Sequence, residues 1–262
     1  MTDLLLDKDP RGVAKLTLNR PTLHNAFDDA LIAAMTAQLK ALDADANTRC
    51  VILRANGKSF SAGADLNWMK RMAGYSAQQN LADARALAQL MHTLNSLSKP
   101  TIARVHGPAY GGGVGLVACV DIAVGYSDAK FSLSEARLGL IPSVISPYVI
   151  AKIGPAFARR YFMTAEVFDA AEAYRIGLLQ ELVSSEEELD EQIAMLVKQL
   201  LACSPNAQRE NRALIDAVGS QPITAAVIED TAQRIARLRS SEQGREGIAA
   251  FLEKRKPQWK SG

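Results

Sequence analysis

VHGPAYGGGVG, residues 105–115, sets three consecutive glycines, Gly111 to Gly113, between two apolar runs at 101–105 and 114–124. Glycine has no Cβ, so it lets the backbone approach another group closely, and it weakens regular structure. Three in a row beside a core strand therefore need a physical reason. A tight strand-to-helix turn is one such reason, and a backbone segment that binds something is the other. The stretch alone leaves both open.

The rest of the chain narrows the choice. Its 262 residues are 48% hydrophobic and 22% charged, which defines a globular chain with one large domain, or one domain with an appendage. The formal net charge of +2 is spread along the sequence, and the only basic cluster is Lys254, Arg255 and Lys256 with Lys260, so no nucleic-acid surface is expected. Cys50, Cys119 and Cys203 are scattered through apolar segments, without CxxC or His-rich spacing. They read as buried free thiols in a reducing compartment. MTDLLLDKDP at the N-terminus has acids around a short apolar run, and no stretch approaches a membrane span, so a cytoplasmic protein is expected.

Period-2 and period-3.6 patterns alternate along the first 180 or so residues. Short strands are expected at 4–6, 13–18, 50–53, 101–105, 121–124, 130–133 and 178–183. Helices are expected at 28–42 with Asp28 as N-cap, from about Asp65, at 77–97, from Pro155 through 162, and at 169–176, with an irregular segment or short helix between Pro142 and Pro147. The last 75 or so residues read as helices only, at 186–201, 205–218, 224–238 and 242–255. Strands alternating with helices predict an α/β fold with parallel pairing. The apolar faces of the helical tail exceed what a monomer of this size covers, so an oligomer is expected.

The glycine stretch has a companion in FSAGADL, residues 60–66. Each places small residues after a core strand and at a helix start, where backbone N–H groups are unpaired and the helix dipole adds positive charge. Two such donors on one point would form an oxyanion hole, and the candidates are Ala64 and Gly112. Each segment alone also reads as a structural turn. GGGVG matches neither GxxxxGK[ST] nor GxGxxG, which disfavours a nucleotide cradle. None of His24, His92 and His106 has a serine or cysteine partner in an elbow motif, which gives nucleophilic hydrolysis little support. Glu135 lies among Phe131, Leu133, Leu138, Leu140 and Ile141, where desolvation would raise its pKa and suit it to proton transfer, against the plainer reading of a surface or capping glutamate.

FSAGADL followed by Asn67 and Trp68, then VHGPAYGGGVGLVACVDIAV, SEARLGLIP and the terminal AFLEKRK, closely resemble the crotonase (enoyl-CoA hydratase/isomerase) superfamily over about 13–256. The resemblance implies a crotonase-like spiral of ββα units over 1–195, with an acyl-CoA site, and a C-terminal helical trimerisation region over 196–262. It implies an enoyl-CoA hydratase-type enzyme, a trimer or hexamer built as a dimer of trimers, and no prosthetic group, coenzyme A being part of the substrate. Ala64 and Gly112 match the thioester-oxygen donors and Glu135 the later of two hydratase glutamates. Thr22, His24, Ala26, Ala62, Asp65, Leu66 and Asn67 match segments along pantetheine and adenine, and Phe251 and Lys254 match positions that approach CoA, often from a neighbouring subunit.

One departure bears on mechanism. The first glutamate of a GGGxE-type motif is replaced by Gly115. A single glutamate must then serve both proton steps, or the enzyme performs one-base chemistry such as double-bond isomerisation. FSAGADLNWM, GGGVGLVAC and LIPSVISPYVI look most like bacterial 3-methylglutaconyl-CoA and isohexenylglutaconyl-CoA hydratases of leucine and acyclic terpene breakdown. Such substrates carry a second carboxylate, for which Lys70, Arg71, Ser143 and Ser146 are candidates. An enoyl-CoA isomerase, an unbranched-chain hydratase, and a lapsed scaffold that binds acyl-CoA or RNA remain the alternatives.

Overall fold

Residues 2–219 and 221–260 are described by the computed structural model. The chain opens with a hairpin of β1 (Leu4–Lys8) and β2 (Val13–Leu18). α1 (Asp29–Ala44) follows, capped by Asp28, whose carboxylate accepts from the Leu31 N–H, and it leads to β3 (Cys50–Ala55). α2 (Leu66–Met72) and α3 (Ala77–Asn95) then precede β4 (Thr101–Val105). After β5 (Ala109–Tyr110) come α4 (Gly112–Cys119), β6 (Ile122–Tyr126), β7 (Lys130–Ser132) and a 3-10 turn, Ser134–Leu138. α5 (Ser146–Thr164), β8 (Phe168–Asp169), α6 (Ala170–Arg175) and β9 (Glu181–Val183) complete the alternating part. α7 (Glu186–Ala202), α8 (Pro205–Val218), α9 (Ala225–Ser240) and α10 (Glu242–Leu252) form the helical remainder.

The main sheet has the order β1-β2-β3-β4-β6-β9, parallel except for the β1–β2 hairpin, and a small second sheet has the order β5-β7-β8. Both faces of the main sheet are covered, which is why its strands read as nearly continuous apolar runs. Ala14, Leu16 and Leu18 of β2 with Val51 and Leu53 of β3 face α1, α3, α4 and α5. Val13, Cys50, Ile52, Ile102 and Val124 point the other way, onto Leu189, Ile193 and Val197 of α7.

Several expected boundaries shift for visible reasons. Asp121 stands outside β6 because its carboxylate accepts from the Thr101 N–H and hydroxyl. Leu178 and Leu179 stand outside β9, their N–H groups being bonded to the Ala173 carbonyl. α5 starts at Ser146, earlier than the expected Pro155; Gly154, at φ +73°, interrupts it, so that Pro155 opens its second segment. Cys50 and Cys119 are buried as expected, but Cys203, at the end of α7, is exposed. Positions 195 and 196, where the division is expected, both lie in α7, whose Leu189, Ile193 and Val197 pack on the sheet. The outer ends of the two expected regions, Met1 and 261–262, lie outside the described residues.

α8 is tied to the core where Arg212 bonds the Asp121 carboxylate and the Asn95 carbonyl. Beyond that anchor the tail exposes Ile215, Ile223, Ile228, Ile235, Ile248, Phe251 and Leu252, a large unpartnered apolar surface on a single chain. Among the described residues, no helix is long and apolar enough to cross a membrane.

Candidate active site

The two glycine turns meet. The Ser61 N–H donates to Pro108 O (3.1 Å) and the Tyr110 N–H to Ser61 O (2.9 Å), which ties 61–65 to 108–113. On its other side the first segment exchanges bonds with Phe27, whose N–H donates to Gly63 O (2.8 Å) and whose carbonyl accepts from the Asp65 N–H (3.0 Å). Gly63, at φ +83°, has no room for a side chain, since a Cβ there would lie 2.8 Å from Tyr110 O and 3.5 Å from Gly112 N. Gly111 adopts φ +50° and ψ −121°, a conformation that side chains disfavour.

The remaining glycines answer to close approach. A Cβ on Gly112 would lie 2.4 Å from the Phe27 ring, and one on Gly113 would lie 2.5 Å from Ser61 O. The Ala64 and Gly112 N–H groups find no acceptor among the described residues. Gly112 opens α4, where the first N–H groups lack a partner within the helix, and Ala64 stands one residue before the Asp65 N-cap of α2, in the segment bonded to Phe27 on both sides of it. Such donors, fixed before any ligand arrives, suit an oxygen that becomes negative.

Glu135 reaches the same place from the 3-10 turn that follows β7. Its Oε1 would be 3.2 Å from a Cβ on Gly111, so the carboxyl group lies against the glycine turn itself. Its Oε2 is buried and finds no partner among the described residues. Burial raises the pKa above its ordinary 4.5, opposed only in part by its own backbone N–H, and no charged neighbour contributes. A carboxyl group whose pKa is raised in this way is better suited to giving and taking a proton than a solvated one.

The same burial makes a stability prediction. A carboxyl whose folded pKa is raised contributes its full stability below its unfolded pKa and loses it as pH rises through the folded value, because the buried group must then ionise. Glu135→Gln removes that titration. The Tm of the variant minus that of the wild type should therefore grow between about pH 4 and pH 8 in thermal unfolding; a flat difference would mean that Glu135 is solvated.

A cavity of about 320 Å³ opens beside Ala64, Gly111, Gly112 and Glu135. Trp68, Met69 and Met72 of α2 with Asn80, Asp83, Ala84 and Leu87 of α3 form one wall; Leu138, Leu140 and 141–145 form another. Trp68 is buried and donates its indole N–H to Asp83 Oδ1 at 3.1 Å. Burial also raises the Asp83 pKa, followed by the opposing Trp68 hydrogen bond. A Cβ on Gly115 would lie 2.2 Å from Ile145 Cγ2 and 3.3 Å from Met91 Cε. The space a side chain at 115 would need is therefore filled by Ile145, at the start of α5.

Of the candidate site residues, Ala62, Ala64, Gly112 and Glu135 line this cavity. Thr22 and His24 are exposed beside it in sequence, with His24 Nδ1 3.0 Å from Ser59 Oγ; Ala26 is buried, its carbonyl accepting from Arg20. The His24 carbonyl accepts from the Ala62 N–H, so the two segments assigned to CoA are joined. The Asp65 carboxylate caps α2, accepting from the Asn67 and Trp68 N–H groups, and pairs with Arg20. Leu66 and Asn67 are exposed. Phe251, 82% exposed, and Lys254 lie at the end of α10, outside the cavity lining. Ser143 lines the cavity, whereas Lys70, Arg71 and Ser146 do not.

Sequence reasoning missed Phe27, Ile145 and the Trp68–Asp83 pair. Asp83 left a signal: with Leu87, Leu90 and Leu94 it falls on the apolar stripe of α3, where a carboxylate is out of place.

Comparison with known proteins fits this geometry. Residues 8–262 match the family model described as enoyl-CoA hydratase/isomerase. A crystal structure of an enoyl-CoA hydratase from Shewanella pealeana superposes with a TM-score of 0.95 at 43% identity, covering 98% of this chain and 96% of that one. The 2,3-dehydroadipyl-CoA hydratase of Escherichia coli is 31% identical over 99% of both chains. The crotonyl-CoA hydratase of Syntrophomonas wolfei is 31% identical over 97% of this chain and 96% of its own. The chain belongs to the enoyl-CoA hydratase/isomerase family, with the crotonase fold. It is an enzyme of the enoyl-CoA hydratase type, and its substrate is an acyl-CoA.

Proposed function

We propose that the enzyme hydrates the double bond of an enoyl-CoA that is branched at C3 and carries a second carboxylate, of the 3-methylglutaconyl-CoA or isohexenylglutaconyl-CoA type. In this reading the Ala64 and Gly112 N–H groups hold the thioester oxygen, where enolate charge collects, and Glu135 delivers the proton to C2. The observation that carries the reaction type is the Glu135 carboxyl, whose Oε2 is buried and without a partner among the described residues, on the same cavity as Ala64 and Gly112. The substrate class is supported by the filling of position 115 by Ile145. A glutamate there would add a third carboxyl group to a cavity region already lined by Glu135 and Asp83, and would add to the repulsion of an anionic acyl group. A relative named for 2,3-dehydroadipyl-CoA, an acyl group with a distal carboxylate, points the same way.

Thr22, His24, Ala26, Ala62, Asp65, Leu66 and Asn67 are proposed to follow the CoA chain. Phe251 and Lys254 are proposed to meet CoA from a neighbouring subunit of a homo-trimer or hexamer, with 196–262 as the associating region; their exposure on the single chain supports this. Ser143, which lines the cavity, is the proposed contact of the distal carboxylate. A cytoplasmic location is part of the same reading.

One observation favours a second reading. The cavity lining carries Asp83 and no Lys, Arg or His among the described residues, which suits a neutral acyl group, as in crotonyl-CoA. Steady-state hydration of 3-methylglutaconyl-CoA, isohexenylglutaconyl-CoA and crotonyl-CoA decides. We expect kcat/KM for one carboxylated substrate to exceed that for crotonyl-CoA by at least about tenfold, roughly 1.4 kcal/mol in transition-state binding. The reverse order would establish the second reading.

A further inference from the structure

Addition of water across C2=C3 needs two proton operations, one removing a proton from the attacking water and one supplying a proton to C2. Glu135 accounts for one. The side chains that line the cavity offer one other group that titrates: among the described residues the lining contains no His, Lys, Arg, Tyr or Cys, and its only carboxyl groups are Glu135 and Asp83. Position 115 contributes nothing, since Ile145 occupies its side-chain space.

Asp83 has the features of a placed group rather than of a surface acid. It is half-buried on the apolar stripe of α3, and the indole N–H of the buried Trp68 fixes its Oδ1 at 3.1 Å. Its Oδ2 accepts from no described residue. α3 and the start of α5 both pack near α4 at Gly115, since a Cβ there would meet Ile145 and Met91. Asp83 thus reaches the cavity from α3, whereas Glu135 reaches it from the 3-10 turn and Ser143 from the segment before α5.

We propose that Asp83, oriented by Trp68, is the base that holds and deprotonates the attacking water. This rests on the hydratase reading above. The water oxygen bonds to C3 while one of its protons passes to the Asp83 carboxylate. The C2=C3 electron pair moves onto the thioester oxygen as an enolate, then returns to form the C2–H bond with the proton of the Glu135 carboxyl. One molecule of water is consumed; the proton left on Asp83 and the one lost by Glu135 are rebalanced through solvent. In this assignment the second carboxylate is supplied by α3 instead of α4.

The test separates water addition from C2 proton transfer. Wild type, Asp83→Asn and Trp68→Phe are compared in hydration of the enoyl-CoA that the wild type turns over best. The same proteins are compared in exchange of a C2 proton for deuterium in the saturated analogue of that substrate, a reaction that uses Glu135 and the oxyanion donors but no water addition. Asp83→Asn should lower hydration kcat by about 100-fold while exchange stays within about threefold of wild type. Trp68→Phe, which keeps the carboxylate but frees its orientation, should lower hydration by about tenfold with exchange retained. Hydration by Asp83→Asn within about threefold of wild type, or equal losses in both reactions, would overturn the inference. If the wild type hydrates no enoyl-CoA, the hydratase reading itself falls and takes this inference with it; wild-type hydration that survives Asp83→Asn removes the inference alone.

Discussion

Glu135→Gln should reduce hydration turnover by about 10³-fold with little change in KM, within the range that a single general acid–base group contributes. The carboxamide keeps the shape of the side chain but cannot exchange a proton. Its neighbours give no substitute among the described residues: Oε1 lies against Gly111, Oε2 has no partner, and the only other titratable side chain lining the cavity is Asp83, on α3 and held by Trp68. A loss confined to kcat would place the group in the chemical step, because an interaction made equally with substrate and transition state would appear in KM instead.

The second large effect is expected at Gly112. In Gly112→Ala the new methyl group would start 2.4 Å from Phe27 Cζ, so either the ring or the glycine turn must move. Phe27 is no passive neighbour: its N–H and carbonyl bond Gly63 and Asp65, the residues on either side of Ala64. A shift at 112 is therefore transmitted to the other proposed donor. We expect a loss of about 10² to 10³ in kcat, comparable to removal of one oxyanion-hole donor. C2 exchange should fall with hydration, since both pass through the same enolate; a variant that lost hydration alone would place the thioester oxygen elsewhere.

The contrast between these two sites and Asp83 shows what the sequence could disclose. Local patterns were legible: Asp28 and Asp65 stand as N-caps where a short polar side chain precedes an apolar helical period, and both glycine turns occur between strand and helix. Glu135 was legible by its apolar surroundings, though Leu138, Leu140 and Ile141 prove to be the exposed rim of the cavity rather than its buried floor. Contacts between distant residues were not legible. That Gly115 is glycine because Ile145 fills its side-chain space depends on how α4 and α5 pack, and no spacing rule spans those thirty residues. The two-residue strands β5 and β8 are likewise set by tertiary pairing, being too short for a period to show. The start of α5 was obscured because Pro147 occupies its first turn, where proline is tolerated but reads as a break.

The proposed chemistry centres on Glu135 as a half-buried proton donor whose desolvated carboxyl costs the fold stability. The most direct measurement is turnover of Glu135→Gln on the preferred enoyl-CoA, made on protein whose thermal unfolding is followed from about pH 4 to pH 8. The account predicts activity lower by about 10³-fold in a folded variant whose stability gains on the wild type as pH rises. Near wild-type turnover, whatever the unfolding curves show, would contradict it.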